Sequence, residues 1–130
     1  MKLDEITRRL NKKLADEMLS YQDVVYLLDH AVDDINDELF STFPVFSELA
    51  VGSDEYTAFP DKYIRKVVIP GAAYYFYTED EEGERVAGEF YLSYRDELFK
   101  MSRDYMELVP DEYQNNEGGY VEFDEETGWL

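Results

Sequence analysis

The sequence contains no cysteine and a single histidine, His30. Without thiols the chain cannot form a disulfide, a thiolate zinc site or a cysteine nucleophile. One imidazole leaves little room for a histidine-based metal centre, and neither a serine nor a cysteine motif accompanies the neighbouring pair Asp29–His30. Phosphate-binding glycine motifs of the P-loop or dinucleotide type are missing as well. We therefore expect no enzyme, no cofactor and no metal site.

Paired carboxylates do not change this expectation, although a glycosidase needs two of them across a cleft. With 31 acidic residues in the chain, adjacent pairs such as Asp33–Asp34 and Asp37–Glu38 arise by number alone. The segment Asp80–Gly83 also lacks the alternating oxygen ligands of a calcium loop.

Long apolar runs are absent too. No apolar run approaches 18 residues, so we expect no transmembrane helix. The first 13 residues, MKLDEITRRLNKK, lack the apolar core of a signal peptide. The 31 acidic residues face only 12 basic ones, giving a net charge of -19. Such a surface repels phosphates, which disfavours sequence-specific nucleic-acid binding and docking on an anionic membrane.

Hydrophobic residues, in contrast, are plentiful. They make up 45% of the 130 residues, and the chain holds 12 tyrosines. A disordered acidic chain has few aromatic residues and cannot bury enough apolar surface to offset its entropy. The composition therefore predicts a folded chain, and its length predicts one domain.

The charges are segregated along the chain. Residues 1–13 hold five basic side chains and two acidic ones. Residues 14–61 hold twelve acids and no base, and residues 104–130 hold nine acids and no base. We expect these acids to face solvent, cations, or bases of another element or another chain. One interpretation is a charged surface that keeps the protein soluble. The other is an acidic surface that faces a molecule which must not bind to it.

Apolar spacing predicts four helices, at residues 2–18, 21–40, from near Pro60 onward, and 84–107. Ser20 is the predicted N-cap of the second helix. Pro70 predicts that the third helix either kinks or ends there. The fold class is therefore all-α, a small antiparallel four-helix bundle.

Two further segments complete the predicted architecture. Residues 41–59 form a long aromatic loop, with a short helical turn at 44–50. Residues 1–109 form the helical domain, and residues 110–130 form an acidic C-terminal arm. Two interpretations of the arm stay open, a frayed terminus and an arm that becomes ordered on a partner. If the arm becomes ordered on a partner, its aromatic residues are the expected docking positions: Tyr113, Tyr120, Phe123 and Trp129.

The segment Phe59–Tyr105 resembles the second half of head-to-tail adaptor (connector) proteins of tailed bacteriophages. Those proteins show a helix that starts at proline, a Gly-Ala-like step, an acidic turn, and a helix with spaced Ala, Tyr, Leu and Met. The matching positions are Pro60, Gly71-Ala72-Ala73, Asp80–Gly83, Ala87, Tyr94, Leu98 and Met101. The resemblance extends over residues 20–107, and Pro70 departs from it.

The resemblance implies a virion structural protein, made in the host cytoplasm and located in the neck of the particle. It implies a homo-oligomeric ring, usually of twelve copies, between the portal protein and the next neck or tail-completion protein. DNA would pass through the ring without being specifically bound. The expected channel acids are Asp33, Asp34, Asp37 and Glu38. The expected contacts with another subunit or the portal are Arg8, Arg9, Lys12, Lys13, Phe43 and Phe46.

A second hypothesis is a soluble acidic DNA mimic that occupies the site of a nucleic-acid-binding protein. Its acids should follow a duplex-like spacing on one exposed face. The long aromatic loop and the aromatic arm favour the adaptor over the mimic.

Overall fold

A computed structural model describes residues 1–14, 18–48, 55–58, 60–79, 84–105 and 109–114. Within these ranges the secondary structure is helical and includes no β-strand, so the predicted all-α class is confirmed. The helices of the described part are α1 (Leu3–Lys13), α2 (Tyr21–Leu39), α3 (Asp61–Thr78) and α4 (Glu84–Tyr105). None of them is long and apolar enough to cross a membrane.

Helix α1 is amphipathic and shorter than its pattern predicts. Leu3, Ile6 and Leu10 lie on its buried face. The helix ends at Lys13, whereas the apolar spacing predicts that it continues to Met18. Met18 is 90% exposed, so its predicted place on the apolar stripe is wrong. Because the chain has already left the helix, the spacing no longer places that side chain on the buried face.

Helix α2 begins where the sequence predicts. The Ser20 hydroxyl accepts a hydrogen bond from the backbone N–H of Asp23 at 3.2 Å, which confirms the N-cap. The helix ends at Leu39, because Phe40 adopts a left-handed conformation with φ of 51°. The backbone N–H groups of Phe40 and Ser41 both donate to the carbonyl of Asn36.

Helix α3 passes through Pro70 without ending. Residues Asp61–Tyr63 and Ile69–Thr78 are α-helical, and Ile64–Val68 between them forms a π-helical turn. A proline inside a helix lacks the N–H donor and its ring clashes with the carbonyl four residues earlier. The wider π turn directly before Pro70 accommodates that mismatch. The alternative that one helix ends at Pro70 and another begins is therefore wrong, and the π turn is the local change in the helix before this proline.

Helix α3 packs against all three other helices and supplies the centre of the core. On α4 the side chains of Ala87, Tyr94, Leu98 and Met101 are buried as the spacing predicts, whereas Phe90 is partly buried and Tyr91 is 42% exposed. The fully enclosed side chains of α3 and α4 are Ile64, Val67, Val68, Ala72, Ala73, Tyr94, Leu98 and Met101.

The described parts of the aromatic loop are folded into this core. Phe43 and Phe46 are 2% and 1% exposed, and the ring of Phe46 stacks on that of Tyr56 at 4.3 Å. Phe46–Glu48 forms a 3₁₀ turn within the predicted helical turn. The expectation that Phe43 and Phe46 contact another subunit is thus wrong for this conformation. Their apolar rings are enclosed by their own chain, so they are not available at its surface.

The first residues of the arm also pack on their own chain. The ring of Tyr113 lies 5.0 Å from that of Phe43, and the Tyr113 carbonyl accepts the N–H of Thr42 at 2.6 Å. Tyr113 therefore contacts the loop, whereas the prediction assigned it to a partner. The other arm residues named above, Tyr120, Phe123 and Trp129, lie outside the described residues.

Candidate functional site

A depression of about 400 Å³ lies between α1 and α3, and we call it the basic depression. Helix α1 contributes four basic side chains to it, because residues four apart in a helix lie on the same face. Helix α3 adds a fifth cation and an apolar side chain. The lining residues are Arg8, Arg9, Lys12, Lys13, Arg65 and Ile69.

Few of these cations are neutralised nearby. Arg9 pairs with Glu5 one turn earlier at 2.9 Å. The Lys13 ammonium lies 5.7 Å from the ring centroid of Phe90, a cation–π contact. Within the described part of the chain, Arg8, Lys12 and Arg65 make no ion pair. Like charges gathered in this way create a positive local potential in a protein of net charge -19.

The sequence predicted four of these five cations as contact residues, and the structure brings the four together. Arg65 was missed, because it is 52 positions beyond Lys13 and only the packing of α1 on α3 joins them. The available signal was its place in the cluster Lys62, Arg65 and Lys66 at the start of the third predicted helix.

A smaller depression of about 100 Å³ lies on α3 beside α4. Lys62, Lys66 and Lys100 line it together with the acids Glu97 and Asp104. The two depressions contain eight of the twelve basic residues of the chain. Helices α1, α3 and α4 therefore each contribute basic side chains to one or both of these separate depressions.

The predicted channel acids of α2 divide into two kinds. Asp33 and Asp37 are exposed and lie one turn apart on the helix. Partial desolvation, and then the negative charge of Asp29, raise the pKa of Asp33 above its usual value. The charge of Asp37 also raises the pKa of Asp33, whereas His30 on the same helix lowers it, and α2 carries no lysine or arginine.

Asp34 is partly buried and makes hydrogen bonds within the fold. Its Oδ2 accepts hydrogen bonds from the hydroxyls of Tyr75 and Tyr94, both at 2.6 Å. Burial, and then these hydrogen bonds to a carboxylate, raise the pKa of both tyrosines. The ring of His30 stacks on Tyr75 at 4.9 Å. The carboxylate of Asp34 therefore joins α2 to α3 and α4 within the subunit, and its place in a channel stays a prediction.

Glu38 is also engaged. Its carboxylate pairs with the guanidinium of Arg95 on α4 at 3.0 Å. Both side chains are partly exposed, so this surface pair contributes about 1 kcal/mol or less. The acids of α2 are thus partly neutralised by another helix, and Asp33 and Asp37 are the two predicted channel positions that stay fully at the surface.

The arrangement is suited to docking. Five cations line the depression together with the nearly buried side chain of Ile69, and this positive surface fits an anionic surface or segment. In the described residues no ion pair joins the basic depression to the acids of α2. Each surface can therefore contact the complementary surface of another molecule.

No protein-family model matches the chain, and comparison with curated proteins and with solved structures finds no similar protein.

Proposed function

We propose that this chain is a structural subunit that associates head to tail into a closed ring, as a neck adaptor of a tailed bacteriophage. Its ring is placed between a portal protein and the next neck protein, and DNA passes through it. The subunit is proposed to be an antiparallel four-helix bundle. The proposal includes no catalytic step.

One observation carries the proposal: a basic depression and an acidic helix surface lie on the same folded chain without pairing with each other. Heterologous contacts join two different surfaces of neighbouring copies, and they close into a ring when the rotation permits. Opposite charges on the two surfaces orient such copies and speed their encounter.

The exposed acids of α2 support the channel in this proposal. Asp33 and Asp37 present two carboxylates without an ion-pair partner among the described residues. Repeated around a ring, such carboxylates repel the DNA phosphates, so a duplex passes without being held. This use of the acids is consistent with the net charge of -19.

The DNA mimic gains no comparable support. Of the four acids of α2 that are predicted for the channel, Asp34 is bonded to two tyrosines and Glu38 is paired with Arg95. The two remaining exposed carboxylates on this helix are too few to imitate the row of phosphates along a DNA duplex.

Negative-stain electron microscopy of the purified full-length chain tests the proposal. We expect ring-shaped particles with a central opening at low ionic strength, and fewer of them at high salt because exposed charges are screened. Addition of a portal protein should place the ring on one face of the portal. Particles of a single copy in every condition, with no binding to a portal, would contradict the proposal.

A further inference from the structure

The unpaired cations of the basic depression raise the question of what neutralises them. Arg8, Lys12 and Arg65 have no ion-pair partner among the described residues, and the Ile69 side chain that lines the same depression is only 4% exposed. An occupant should therefore carry several negative charges. Aromatic rings suit this surface further, because arginine and lysine interact favourably with their faces.

The chain itself contains a segment of this composition. Residues 115–130 follow the last described residue, Gln114, and hold five acids and no base. Aromatic residues alternate with these acids. The acids are Glu117, Glu122, Asp124, Glu125 and Glu126, and the aromatic residues are Tyr120, Phe123 and Trp129.

We propose that the acidic C-terminal segment 115–130 of one copy docks in the basic depression of a neighbouring copy. This inference rests on the proposed ring and names the contact that joins its subunits. Gln114 is fixed beside Ser41 by a backbone bridge, so the segment starts from a defined place. Sixteen residues span at most about 50 Å when fully extended, which is enough to reach an adjacent subunit of this size.

A nucleic acid is the other polyanion that such a depression could attract. The net charge of -19 opposes it, because a long phosphate backbone meets the acidic surfaces around the depression as well. A short acidic segment with aromatic residues contacts only the depression. We therefore assign the protein segment.

Two full-length variants separate the two halves of the contact. The first reverses the depression with Arg8→Glu, Lys12→Glu and Arg65→Glu, all of which are exposed residues. The second neutralises the segment with Glu117→Gln, Glu122→Gln, Asp124→Asn, Glu125→Gln and Glu126→Gln. A matched control reverses three exposed bases outside the basic depression, with Lys2→Glu, Lys100→Glu and Arg103→Glu. Circular dichroism verifies that each variant is folded.

We expect each of the first two variants to lose self-association by about tenfold or more in native mass spectrometry, and the control to keep it. When the two are mixed, the intact depression of one should accept the intact segment of the other. The mixture should form a complex with one copy of each and nothing larger, because only one working contact is left per pair.

Cysteine cross-linking then locates the contact, and the cysteine-free chain gives it no background. Lys12→Cys in the segment-neutralised variant should form a disulfide with Asp124→Cys in the depression-reversed variant under mild oxidation. Arg103→Cys in place of Lys12→Cys should not.

The inference would be overturned if the two variants form no complex on mixing, or if neither variant changes self-association. It would also be overturned if a monomeric chain that carries both cysteines forms the disulfide within itself. Binding of labelled duplex DNA that is lost with Arg8→Glu, Lys12→Glu and Arg65→Glu would overturn it in favour of a nucleic acid. If neither variant disturbs ring formation, the proposed contact is wrong and the proposed function still stands. If the two variants form mixed pairs but the wild-type chain forms no ring, the contact is supported and the proposed function is contradicted.

Discussion

Gly71 lies directly against the ring of Tyr94. A Cβ atom placed on Gly71 would be 2.6 Å from Tyr94 Cε1 and 3.0 Å from the Cβ of Ala31. The ring cannot move aside easily, because Tyr94 is buried and its hydroxyl is bonded to Asp34. This glycine therefore permits the close approach of α2, α3 and α4.

We expect Gly71→Ala to lower the free energy of unfolding by about 1–3 kcal/mol through overpacking. The better helix propensity of alanine, about 1 kcal/mol, offsets only part of this cost. Urea denaturation followed by circular dichroism measures the change. Gly88→Ala is the matched control on α4, because a Cβ there meets nothing within 4 Å. It should be neutral or stabilising by up to about 1 kcal/mol; equal effects at both glycines would refute the packing argument.

The hydrogen bonds to Asp34 should be important for stability. Tyr94→Phe removes one donor to a partly buried carboxylate, and we expect a loss of about 1.5–3 kcal/mol in the free energy of unfolding. Tyr21→Phe, at a side chain that is 61% exposed, should change it by less than about 0.5 kcal/mol. Both are measured by urea denaturation at pH 7. A Tyr94→Phe protein as stable as the wild type would mean that this bond does not stabilise the fold.

The same tyrosines predict a loss of stability at high pH. Burial, together with the bonds to Asp34, raises the pKa of Tyr75 and Tyr94 in the folded chain, whereas unfolded tyrosines ionise near pH 10. Above that pH the unfolded state releases protons that the folded state keeps, so the free energy of unfolding falls as pH rises. Below pH 10 this contribution is fully present. Urea denaturation between pH 8 and pH 11 should show the fall, with a shallower slope for Tyr94→Phe.

Asn36 should hold the aromatic loop on the end of α2. Its side-chain oxygen accepts the N–H of Phe43 at 2.8 Å, and its amide nitrogen donates to the carbonyl of Phe43 at 3.0 Å. We expect Asn36→Ala to lower the free energy of unfolding by about 1–3 kcal/mol and to speed hydrogen exchange in residues 41–48. Asp37→Ala, at the exposed neighbouring position, should leave both unchanged. Unaltered exchange in Asn36→Ala would show that the loop is held by its apolar packing alone.

The exposed acids of α2 give a test of the proposed channel. We expect rings of the wild-type chain to leave a linear DNA duplex unbound in a gel-shift assay. Rings of Asp33→Lys, Asp37→Lys should retain the duplex, with an affinity that falls steeply as salt rises. Glu79→Lys, Glu89→Lys places the same charges at exposed positions outside α2 and outside the basic depression, and should bind less. Equal binding by both variants would mean that Asp33 and Asp37 do not line the channel.

Apolar spacing predicted the helical class and the helix positions because those features depend on neighbours along the chain. The Ser20 cap and the buried face of α4, including Leu98 and Met101, follow from local sequence. The end of α1 did not follow, since the periodicity continues to Met18 although the helix stops at Lys13. The π turn before Pro70 was not predicted, because proline indicates only that a helix must be altered.

The candidate site was predictable in part for the same reason. The cations of α1 lie close together in the sequence, whereas Arg65 joins them only through packing. The sequence did not predict the hydrogen bonds to Asp34, because the donors Tyr75 and Tyr94 lie 41 and 60 positions away along the chain. The aromatic residues of the loop showed that it packs on something, and the fold shows that Phe43 and Phe46 pack on their own chain.

The most direct test of the central claim is the native mass of the purified full-length chain, measured over a range of concentration and ionic strength. We expect a single closed oligomer whose mass is an integral multiple of 15.3 kDa and which dissociates as salt is raised. A mass of 15.3 kDa at every concentration and salt would show that the chain does not form the proposed ring.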